Sequence, residues 1–306
     1  MTSSKPWSQY WSQGHKTSFG NTFEDCYEGI IKSEWYKVFD KMEQGDAVLD
    51  LCTGNASLIR LAEQGLDNFS TMAFTGVDYA EVSADQKLAN LANVSLVFNQ
   101  NIEQLPFYEN TFNAIISNFG IEYSELSVSL PEASRVLKTG GRIDFLCHHV
   151  GSDIIQRSQR ELLMLKEMHQ NQGVVDKLEN LIIALEKQGD GHNANESETW
   201  RLELNQSLAE LAEKFTTTFY QGDFISFLKF VLKPTTQEKL NAFRAFSKEM
   251  QDYQMRLNAM VNAAITPEKS DDVKRILLSL GFNDITQAPI LSDDGCIAYK
   301  ISAIKM

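Results

Sequence analysis

Two aspartates stand at or near the ends of short apolar runs. Asp50 lies near the end of the run over 47–51, and Asp78 ends the run over 73–78, 28 residues further on. This spacing is near that of a carboxylate that binds ribose hydroxyls, and a carboxylate suits a diol because it accepts two hydrogen bonds. The small residues over 52–56 allow a tight turn in which backbone approaches a ligand closely. The pattern predicts a ribose-containing ligand at these run ends.

The aspartates belong to a series of short apolar runs that alternate with segments of helical periodicity. Before residue 151 the runs predict five strands, over 47–51, 73–78, 94–98, 112–117 and 142–147. A helix over 131–137 is predicted to end at the glycines of 139–141. After Pro267 the alternation returns, with a helix over 271–280 and strands over 282–290 and 297–304, the first of them interrupted by Pro289. Such alternation predicts an α/β fold with a doubly wound, mostly parallel sheet of seven strands.

Between the two parts of this pattern, residues 151–266 show helical periodicity and no convincing strand. Helices are predicted over 154–165, 174–185, 199–215, 224–232 and 236–264. The chain is therefore divided into a leader over 1–44, an α/β core over 45–150 and 267–306, and a helical insertion over 151–266. The insertion is predicted to cap the strand ends and to shape a pocket. A helix–helix core or a homodimer interface explains most of its apolar side chains equally well, namely Phe224, Phe227, Phe230, Phe243, Phe246, Met250, Tyr253, Met255 and Met260.

Five motifs, taken in order, resemble class I S-adenosylmethionine-dependent methyltransferases. Residues 48–56 are similar to the first motif of that family, and 76–79 to its acidic second strand. The segments 101–107 and 110–113 resemble D-x-x-x-L-P-F followed by F-D, 132–141 resembles E-x-x-R-V-L-K-x-G-G, and 280–282 resembles the usual ending. The resemblance implies a Rossmann-like core, S-adenosylmethionine as cofactor and methyl transfer to a small-molecule acceptor.

The resemblance also implies a cofactor site. Its members are Asp50, Cys52, Thr53, Gly54 and Asn55 for the methionine and ribose portions, Asp78 for the ribose, Tyr79, Asn101 and Ile102 for the adenine, and Asn118 and Phe119 for the sulfonium and acceptor. Either aspartate could instead cap the helix that follows it. Asn118 could be an ordinary turn residue, and Tyr79 could belong to the core.

The chain departs from the family pattern at four positions. Cys52 and Ala56 replace the outer two of three glycines, and only Gly54 remains. Asn101 and Asn113 stand where the family has aspartate, although an amide oxygen still accepts a hydrogen bond. Cysteine and alanine fit a tight turn unless their φ angles must be positive. We expect cofactor binding to survive these changes.

Methyl transfer requires alignment of nucleophile, methyl group and sulfur in a site that excludes water. A hydroxyl or acidic carbon also needs a base. His148 and His149 follow the fifth strand, and a neutral imidazole takes a proton near pH 7. Glu122 and Tyr123, after the fourth strand, are comparable candidates. Alternatively, one histidine is buried and hydrogen-bonded while the other is solvated.

The leader is rich in aromatic residues, and it contains a predicted helix over 28–39. Resemblance to small-molecule methyltransferases implies that Tyr10 and Trp11 form a lid over the cofactor. For Trp35, Tyr36 and Phe39, packing of the helix on the sheet is the preferred interpretation. His15 could reach the site only if the leader folds over it.

Composition limits the partners. The net charge of −13 disfavours nucleic acid. Neither a secretory signal nor a membrane-spanning run is evident. Four cysteines without C-x-x-C spacing argue against a zinc site or disulfides, so we expect a cytoplasmic protein with no metal.

Two alternative functions remain. A protein or peptide methyltransferase would need an open cleft instead of a capped pocket. A non-catalytic S-adenosylmethionine-binding protein is suggested by the altered glycine turn.

Overall fold

The computed structural model describes residues 5–18, 23, 26–82, 86–189, 194–233, 238–293 and 295–306. The chain divides into two compact units. The α/β unit comprises Met1–Ile155 and Asn262–Met306, and the helical unit comprises Gln156–Val261.

The helices over these ranges are α1 (Lys5–Ser12), α2 (Gly29–Phe39), α3 (Ser57–Gly65), α4 (Gln86–Ala89), α5 (Leu126–Val136), α6 (Asp153–Met168), α7 (Val174–Gly189), α8 (Ala194–Lys214), α9 (Thr216–Gln221), α10 (Phe224–Val231), α11 (Lys239–Ala263) and α12 (Pro267–Ser279). Short 3-10 helices occupy Phe69–Thr71 and Ile121–Tyr123. No helix within the described ranges is long and apolar enough to cross a membrane.

The α/β unit contains one seven-stranded sheet. Its strands are β1 (Ala47–Leu51), β2 (Ala73–Val77), β3 (Val94–Val97), β4 (Phe112–Asn118), β5 (Leu137–Cys147), β6 (Phe282–Ser292) and β7 (Gly295–Lys305), in the order β3-β2-β1-β4-β5-β7-β6. The first five strands pair in parallel, whereas β7 is antiparallel to both β5 and β6. The predicted doubly wound, mostly parallel sheet is confirmed. Its strand order reverses between β1 and β4, and ligands of such sheets bind at that point.

Each face of the sheet is covered by its own apolar core, because successive strand residues point to opposite faces. In β1, Val48 packs in the core with α2 and α3, whereas Leu49 and Leu51 pack in the core with α5 and α12. In β4, Ile116 packs in the core with α2 and α3, and its neighbour Ile115 packs in the core with α5 and α12. Burial on both faces explains why these parallel strands are nearly continuous apolar runs.

The helix before β5 differs from its prediction. It begins at Leu126 instead of 131, and Pro131 lies inside it, where proline removes one backbone hydrogen bond without ending the helix. The expectation that the glycines end this helix was wrong. The helix ends at Val136, and Gly140 and Gly141 lie inside β5.

β6 continues through Pro289 to Ser292. Proline has no N–H to donate, but β6 is an edge strand with one neighbour, so the missing donor is tolerated there.

The helical unit has a core of its own, with Met168, Leu178, Ile182 and Val231 fully buried. Most of the apolar residues singled out from the sequence belong to this core, and the rings of Phe227 and Phe246 stack at 3.8 Å. Phe230 and Met255 are instead about half exposed. The short helix α9 was not predicted, and residues 236 and 237 of the predicted last helix lie outside the described residues. The roles of this unit as a cap or a homodimer interface stay predictions.

Candidate functional site

The turn after β1 has an unusual backbone. Cys52, Gly54 and Ala56 have φ angles of 58°, 52° and 58°. All three lie in the left-handed region, which costs a non-glycine residue roughly 1–2 kcal/mol. Both substituted positions therefore have the positive φ angles that disfavour cysteine and alanine. Cys52 and Ala56 adopt this left-handed backbone under local strain.

Side chains at the ends of β1 and β2 hold this turn in place. Thr53 Oγ1 donates to Asp50 Oδ2 at 2.5 Å, and the backbone N–H of Gly54 donates to Asp78 Oδ2 at 2.7 Å. The other oxygen of Asp78 accepts from Ala80 N at 2.8 Å. Asp78 thus joins the first turn to the second, and a carboxylate with about four lone pairs keeps acceptor capacity beyond these backbone donors.

Burial changes the acidity of both aspartates. Asp50 is 2% exposed and Asp78 is 8% exposed. Burial raises the pKa of Asp50 to about 7, with a smaller contribution from the charge of Asp78. Burial also raises the pKa of Asp78 to about 6, against the hydrogen bonds from Ala80 and Gly54. Such carboxylates are poorly solvated as anions, and a cationic ligand would stabilise their charge.

Asn118 ends β4 and is tied to the leader. Its Oδ1 accepts from the indole Nε1 of Trp35 at 2.8 Å. An indole N–H only donates, so this bond fixes which end of the amide faces Trp35. Trp35 is completely buried, as the packing interpretation expects, but its hydrogen bond to a residue 83 positions away was not predicted.

One cavity, here called the cofactor cavity, opens at the carboxyl ends of β1, β2 and β4. The space free of protein atoms there is about 920 Å³, open solvent at the mouth included. Ten predicted site residues line it: Trp11, Asp50, Cys52, Thr53, Asp78, Tyr79, Ile102, Asn118, Phe119 and Tyr123. Residues that were not predicted to bind also line it: Trp7, Ser18, Tyr27, Ser57, Leu58, Ala80, Gly120 and Ser124. Trp7 and Tyr27 had a sequence signal in the aromatic leader, but the sequence analysis singled out only Tyr10 and Trp11 of that leader for the cofactor.

The leader crosses the turn after β1. A Cβ built on Gly54 would lie 2.4 Å from the Trp11 indole, so the ring rests directly on this glycine. Asn55 Nδ2 donates to the carbonyl of His15 at 2.8 Å, and Ser57 donates to that of Lys16. These contacts place residues 5–18 over the turn.

Tyr10 and His15 lie in the leader but do not line the cofactor cavity. Tyr10 is buried, donates to the carbonyl of Thr17 at 2.7 Å and stacks on the His15 ring at 4.3 Å. The leader aromatic Phe19 lies outside the described residues.

Three predicted cofactor residues do not line the cavity either. Gly54 and Asn55 lie beneath the leader contacts described above. The side chain of Asn101 is hydrogen-bonded within its own loop, where its Oδ1 accepts from the backbone N–H of Glu103 at 2.9 Å. Ile102, the next residue, is buried in the cavity wall.

The four predicted catalytic residues occupy three different places. Tyr123 lines the cavity, and burial raises its pKa well above the usual range. His148 and Glu122 lie behind the wall: the His148 ring is 4.7 Å from that of Phe119, and its backbone N–H donates to Glu122 Oε1 at 2.8 Å. Burial lowers the pKa of His148 to about 3 and raises that of Glu122 to about 7.

His149 faces a different surface depression. Its ring stacks on Tyr299 at 5.1 Å, and its Nδ1 accepts from Gly151 N at 3.1 Å. The depression is also lined by Thr266, Ser270 and Asp271, and none of these lines the cofactor cavity. Adjacent residues leaving a strand point to opposite faces, which explains why the two histidines separate.

Asn113, the other substituted aspartate position, lies near the start of β4, beside the start of β1, and does not line the cavity. Its Oδ1 accepts from Ala47 N at 3.1 Å and from Lys138 Nζ at 2.8 Å. The amide thus joins β1, β4 and β5 and has a structural role.

Residues 49–145 match a family described as "Methyltransferase domain". Over 115 residues the chain is 34% identical to a ubiquinone/menaquinone biosynthesis C-methyltransferase of Blochmanniella floridana, covering 34% of this chain and 42% of that protein. It is 28% identical over 131 residues to a demethylmenaquinone methyltransferase of Bacillus licheniformis, covering 41% and 51%. A crystal structure of a SAM-dependent methyltransferase from Aquifex aeolicus aligns at 12% identity over 98% of both chains, with a TM-score of 0.46.

The family match confirms the resemblance and, with it, S-adenosylmethionine as the predicted cofactor. The chain spans about half the length of the curated relatives it matches.

Proposed function

Because residues 49–145 carry a methyltransferase domain, we propose that the α/β unit binds S-adenosylmethionine and transfers its methyl group to a small-molecule acceptor. One observation carries the proposal. A single cavity joins the buried pair Asp50 and Asp78 and the left-handed turn of β1 to Phe119 and Tyr123 after β4. The two halves of the cavity therefore offer neighbouring places for a cofactor and an acceptor.

The residues present fit this cofactor. Asp50 and Asp78 supply negative charge in a low-dielectric site, which suits a sulfonium cation. The carboxylate of Asp78 keeps acceptor capacity for a ribose hydroxyl, and Ile102 and Tyr79 present apolar surface for an adenine ring. Cys52 and Ala56 do not remove the fit, because both residues adopt positive φ angles like that of Gly54 between them.

S-adenosylmethionine supplies a methyl group that its positive sulfur has already activated. The chain's own residues bind, orient and exclude water. Trp11 lines the cavity over the turn and Trp7 lines it next to Tyr123, and both support the predicted lid. Phe119 and Gly120 line the part of the cavity next to β4, where the acceptor would lie.

Tyr123 is the catalytic candidate that lines the cavity. Its raised pKa keeps the phenol protonated at neutral pH, so it serves as a hydrogen-bond donor that orients the acceptor and does not serve as a base. His148 and Glu122 contribute by supporting the wall in front of them.

Curated relatives that act in ubiquinone and menaquinone biosynthesis support a small-molecule acceptor over a protein or peptide. The strained turn, with Cys52 and Ala56 in place of glycines, favours the second candidate, a non-catalytic S-adenosylmethionine-binding protein.

The first test is calorimetric titration of the protein with S-adenosylmethionine and S-adenosylhomocysteine. We expect both to bind, and we expect Asp78→Asn to weaken binding by about tenfold or more, since it removes the charge at nearly constant size. Asp67→Asn, at an exposed aspartate outside the cavity, is the matched control and should bind normally. Absence of binding to the folded wild type would overturn the proposal. Binding without methylation of any acceptor in a broad panel would favour the non-catalytic candidate.

A further inference from the structure

Helix α3 begins at the cofactor cavity without a capping side chain. Its N-cap residue is Ala56, and no side chain within the described ranges caps the first turn. Ser57 and Leu58, the first two residues of the helix, line the cavity. The first backbone N–H groups of a helix have no partner inside it, and they favour an anion. The start of α3 therefore offers the cavity a place for a negative group.

The leader is tied to this helix start at two points. Ser57 Oγ donates to the carbonyl of Lys16, and Cys26 Sγ donates to the carbonyl of Ser57 at 3.5 Å. Ser18 and Tyr27, close to these two contacts in the chain, line the cavity. The leader thus brings a hydroxyl and a phenol to the start of α3.

Asn118 adds a third polar group. Its Nδ2 and the Oγ of Ser18 are buried, and neither has a hydrogen-bond partner among the residues that the structure describes. Both lie near the Tyr27 phenol: burial raises the pKa of Tyr27 to about 12, and the Ser18 hydroxyl and the Asn118 amide oppose that rise. The phenol is therefore a protonated donor at physiological pH. Buried donors without a partner cost free energy, so this group of neutral donors points to an acceptor supplied by a ligand.

Asp50 lies beside the same donors, since its charge also raises the pKa of Tyr27. Among the described residues that line the cavity, none is lysine, arginine or histidine. One carboxylate beside neutral donors matches the end of an amino acid, with Asp50 for an α-ammonium and the donors for an α-carboxylate. The sulfonium is a second cation of the cofactor, and Asp50 and Asp78 also offset its charge. The α-carboxylate is then the anionic group of the cofactor that still needs donors.

We propose that Ser18, Tyr27, Asn118 and the first turn of α3, here called the carboxylate cradle, bind the α-carboxylate of the cofactor without a protein cation. This inference rests on the proposed function and assigns leader residues to its cofactor. Trp35 is the positioning residue of the cradle, because its indole N–H occupies Asn118 Oδ1 and leaves Nδ2 for the ligand. The leader thus takes part in recognising the cofactor itself.

The test uses two ligands that differ by the carboxylate alone. They are S-adenosylhomocysteine and its decarboxylated analogue, which keeps the adenosine, the thioether and the amine, and neither carries a sulfonium. Titration calorimetry at pH 8 measures both dissociation constants, by displacement of S-adenosylhomocysteine if the analogue binds weakly. For the wild type we expect S-adenosylhomocysteine to bind about tenfold more tightly than the analogue.

Two variants each remove one donor of the cradle, Tyr27→Phe and Asn118→Ala. We expect each to weaken binding of S-adenosylhomocysteine by about tenfold and to leave binding of the decarboxylated analogue nearly unchanged. Tyr36→Phe removes a phenol of the same leader outside the cavity, and it should change neither constant. Thermal unfolding checks that each variant is folded.

Trp35→Phe tests the positioning role. In the wild-type background we expect the same selective loss of affinity for S-adenosylhomocysteine. In the Asn118→Ala background we expect no further loss, since Trp35 acts through Asn118. A tryptophan that only packs would weaken binding of both ligands and would do so in both backgrounds, which would overturn its positioning role.

The outcomes separate the two proposals. If S-adenosylhomocysteine binds but Tyr27→Phe and Asn118→Ala leave its affinity unchanged, or weaken both ligands equally, the cradle is wrong and the proposed function stands. Equal affinity of the wild type for the two ligands would also overturn the cradle. If S-adenosylhomocysteine does not bind the folded wild type, the proposed function fails and the cradle fails with it.

Discussion

The two units differ most in what they bury. In the α/β unit the buried side chains include Asp50, Asp78, Glu122, Asp144 and His148, all of them charged or titratable. Within the described part of the helical unit, the buried polar side chains are two serines, Ser158 and Ser197. Burying a charged group costs free energy unless it is paired, so a unit that retains such groups keeps them for a use that packing does not supply. The α/β unit is organised for chemistry, and the core of the helical unit is organised for packing.

The largest expected effect is on stability, in the helical unit. Ile182 on α7 is fully buried, and Ile182→Ala should lower the free energy of unfolding by about 2–5 kcal/mol through lost burial and a cavity. Chemical denaturation followed by circular dichroism measures the change. The affinity for S-adenosylhomocysteine should stay at the wild-type value under folded conditions, since the cavity residues lie in the α/β unit. A tenfold loss of affinity would break the distinction between the units.

The opposite pattern is expected for Asp50→Asn. Removing this buried charge should weaken S-adenosylmethionine binding by about tenfold, because the sulfonium loses a carboxylate. The free energy of unfolding should rise, since burial disfavours the charged form of Asp50 in the folded protein. Titration calorimetry and thermal unfolding at pH 8 give the two quantities. A variant that both binds normally and unfolds more easily would assign Asp50 to structure.

The pKa values of the two aspartates predict a pH dependence. Asp78, with a pKa of about 6, and Asp50, with a pKa of about 7, take up protons as pH falls from 8 to 5. Affinity for the cationic S-adenosylmethionine should fall over this window, and affinity for S-adenosylhomocysteine, whose sulfur is uncharged, should fall less. Titration calorimetry with both ligands at pH 5 and pH 8 measures the difference.

The stability of the ligand-free protein should depend on pH in the opposite sense: it should rise as pH falls, whereas the affinity for S-adenosylmethionine falls. Both folded-state pKa values are raised above those of the unfolded chain, so the folded state binds more protons between about pH 4 and 7. These two groups therefore lower the free energy of unfolding as pH rises through that range. Denaturation curves at pH 5 and pH 8 for wild type and Asp50→Asn would isolate this contribution, which the variant should lack in part.

The smallest expected effect is on the free energy of unfolding, at the left-handed turn after β1. Ala56 and Ala62 are both completely buried in the same core, but Ala56 is left-handed whereas Ala62 lies inside α3. Glycine removes the same methyl group at both positions, relieves strain at Ala56 and weakens the helix at Ala62. Ala56→Gly should therefore cost about 1–2 kcal/mol less than Ala62→Gly. Equal costs, measured by denaturant unfolding, would show that the turn carries no strain.

The sequence predicted the elements more fully than the contacts between them. β1 has the predicted bounds because an apolar run buried on both faces is a strong signal. The helix before β5 was predicted five residues short, since Pro131 is typical of a first turn and here lies further inside.

The site was predictable where the chain itself sets the geometry. Asp50 lies near the end of β1 and Asp78 directly follows the adjacent parallel strand β2, so the fold alone brings them together. The sequence does not say which of the adjacent residues His148 and His149 faces the cavity wall. It also does not show that Trp35 donates a hydrogen bond to Asn118, which is 83 positions away. No local pattern encodes either of these.

The placement of the tryptophans gives the molecule an optical reporter. Of its four tryptophans, Trp7 and Trp11 line the cavity and Trp35 is hydrogen-bonded to a residue that lines it, whereas Trp200 lies in the helical unit. Emission excited near 295 nm therefore comes mainly from the three tryptophans in or next to the cavity wall, with a background from Trp200 of the helical unit. A Trp200→Phe variant would emit from the cavity region alone, and quenching of its fluorescence would follow cofactor arrival and departure in real time.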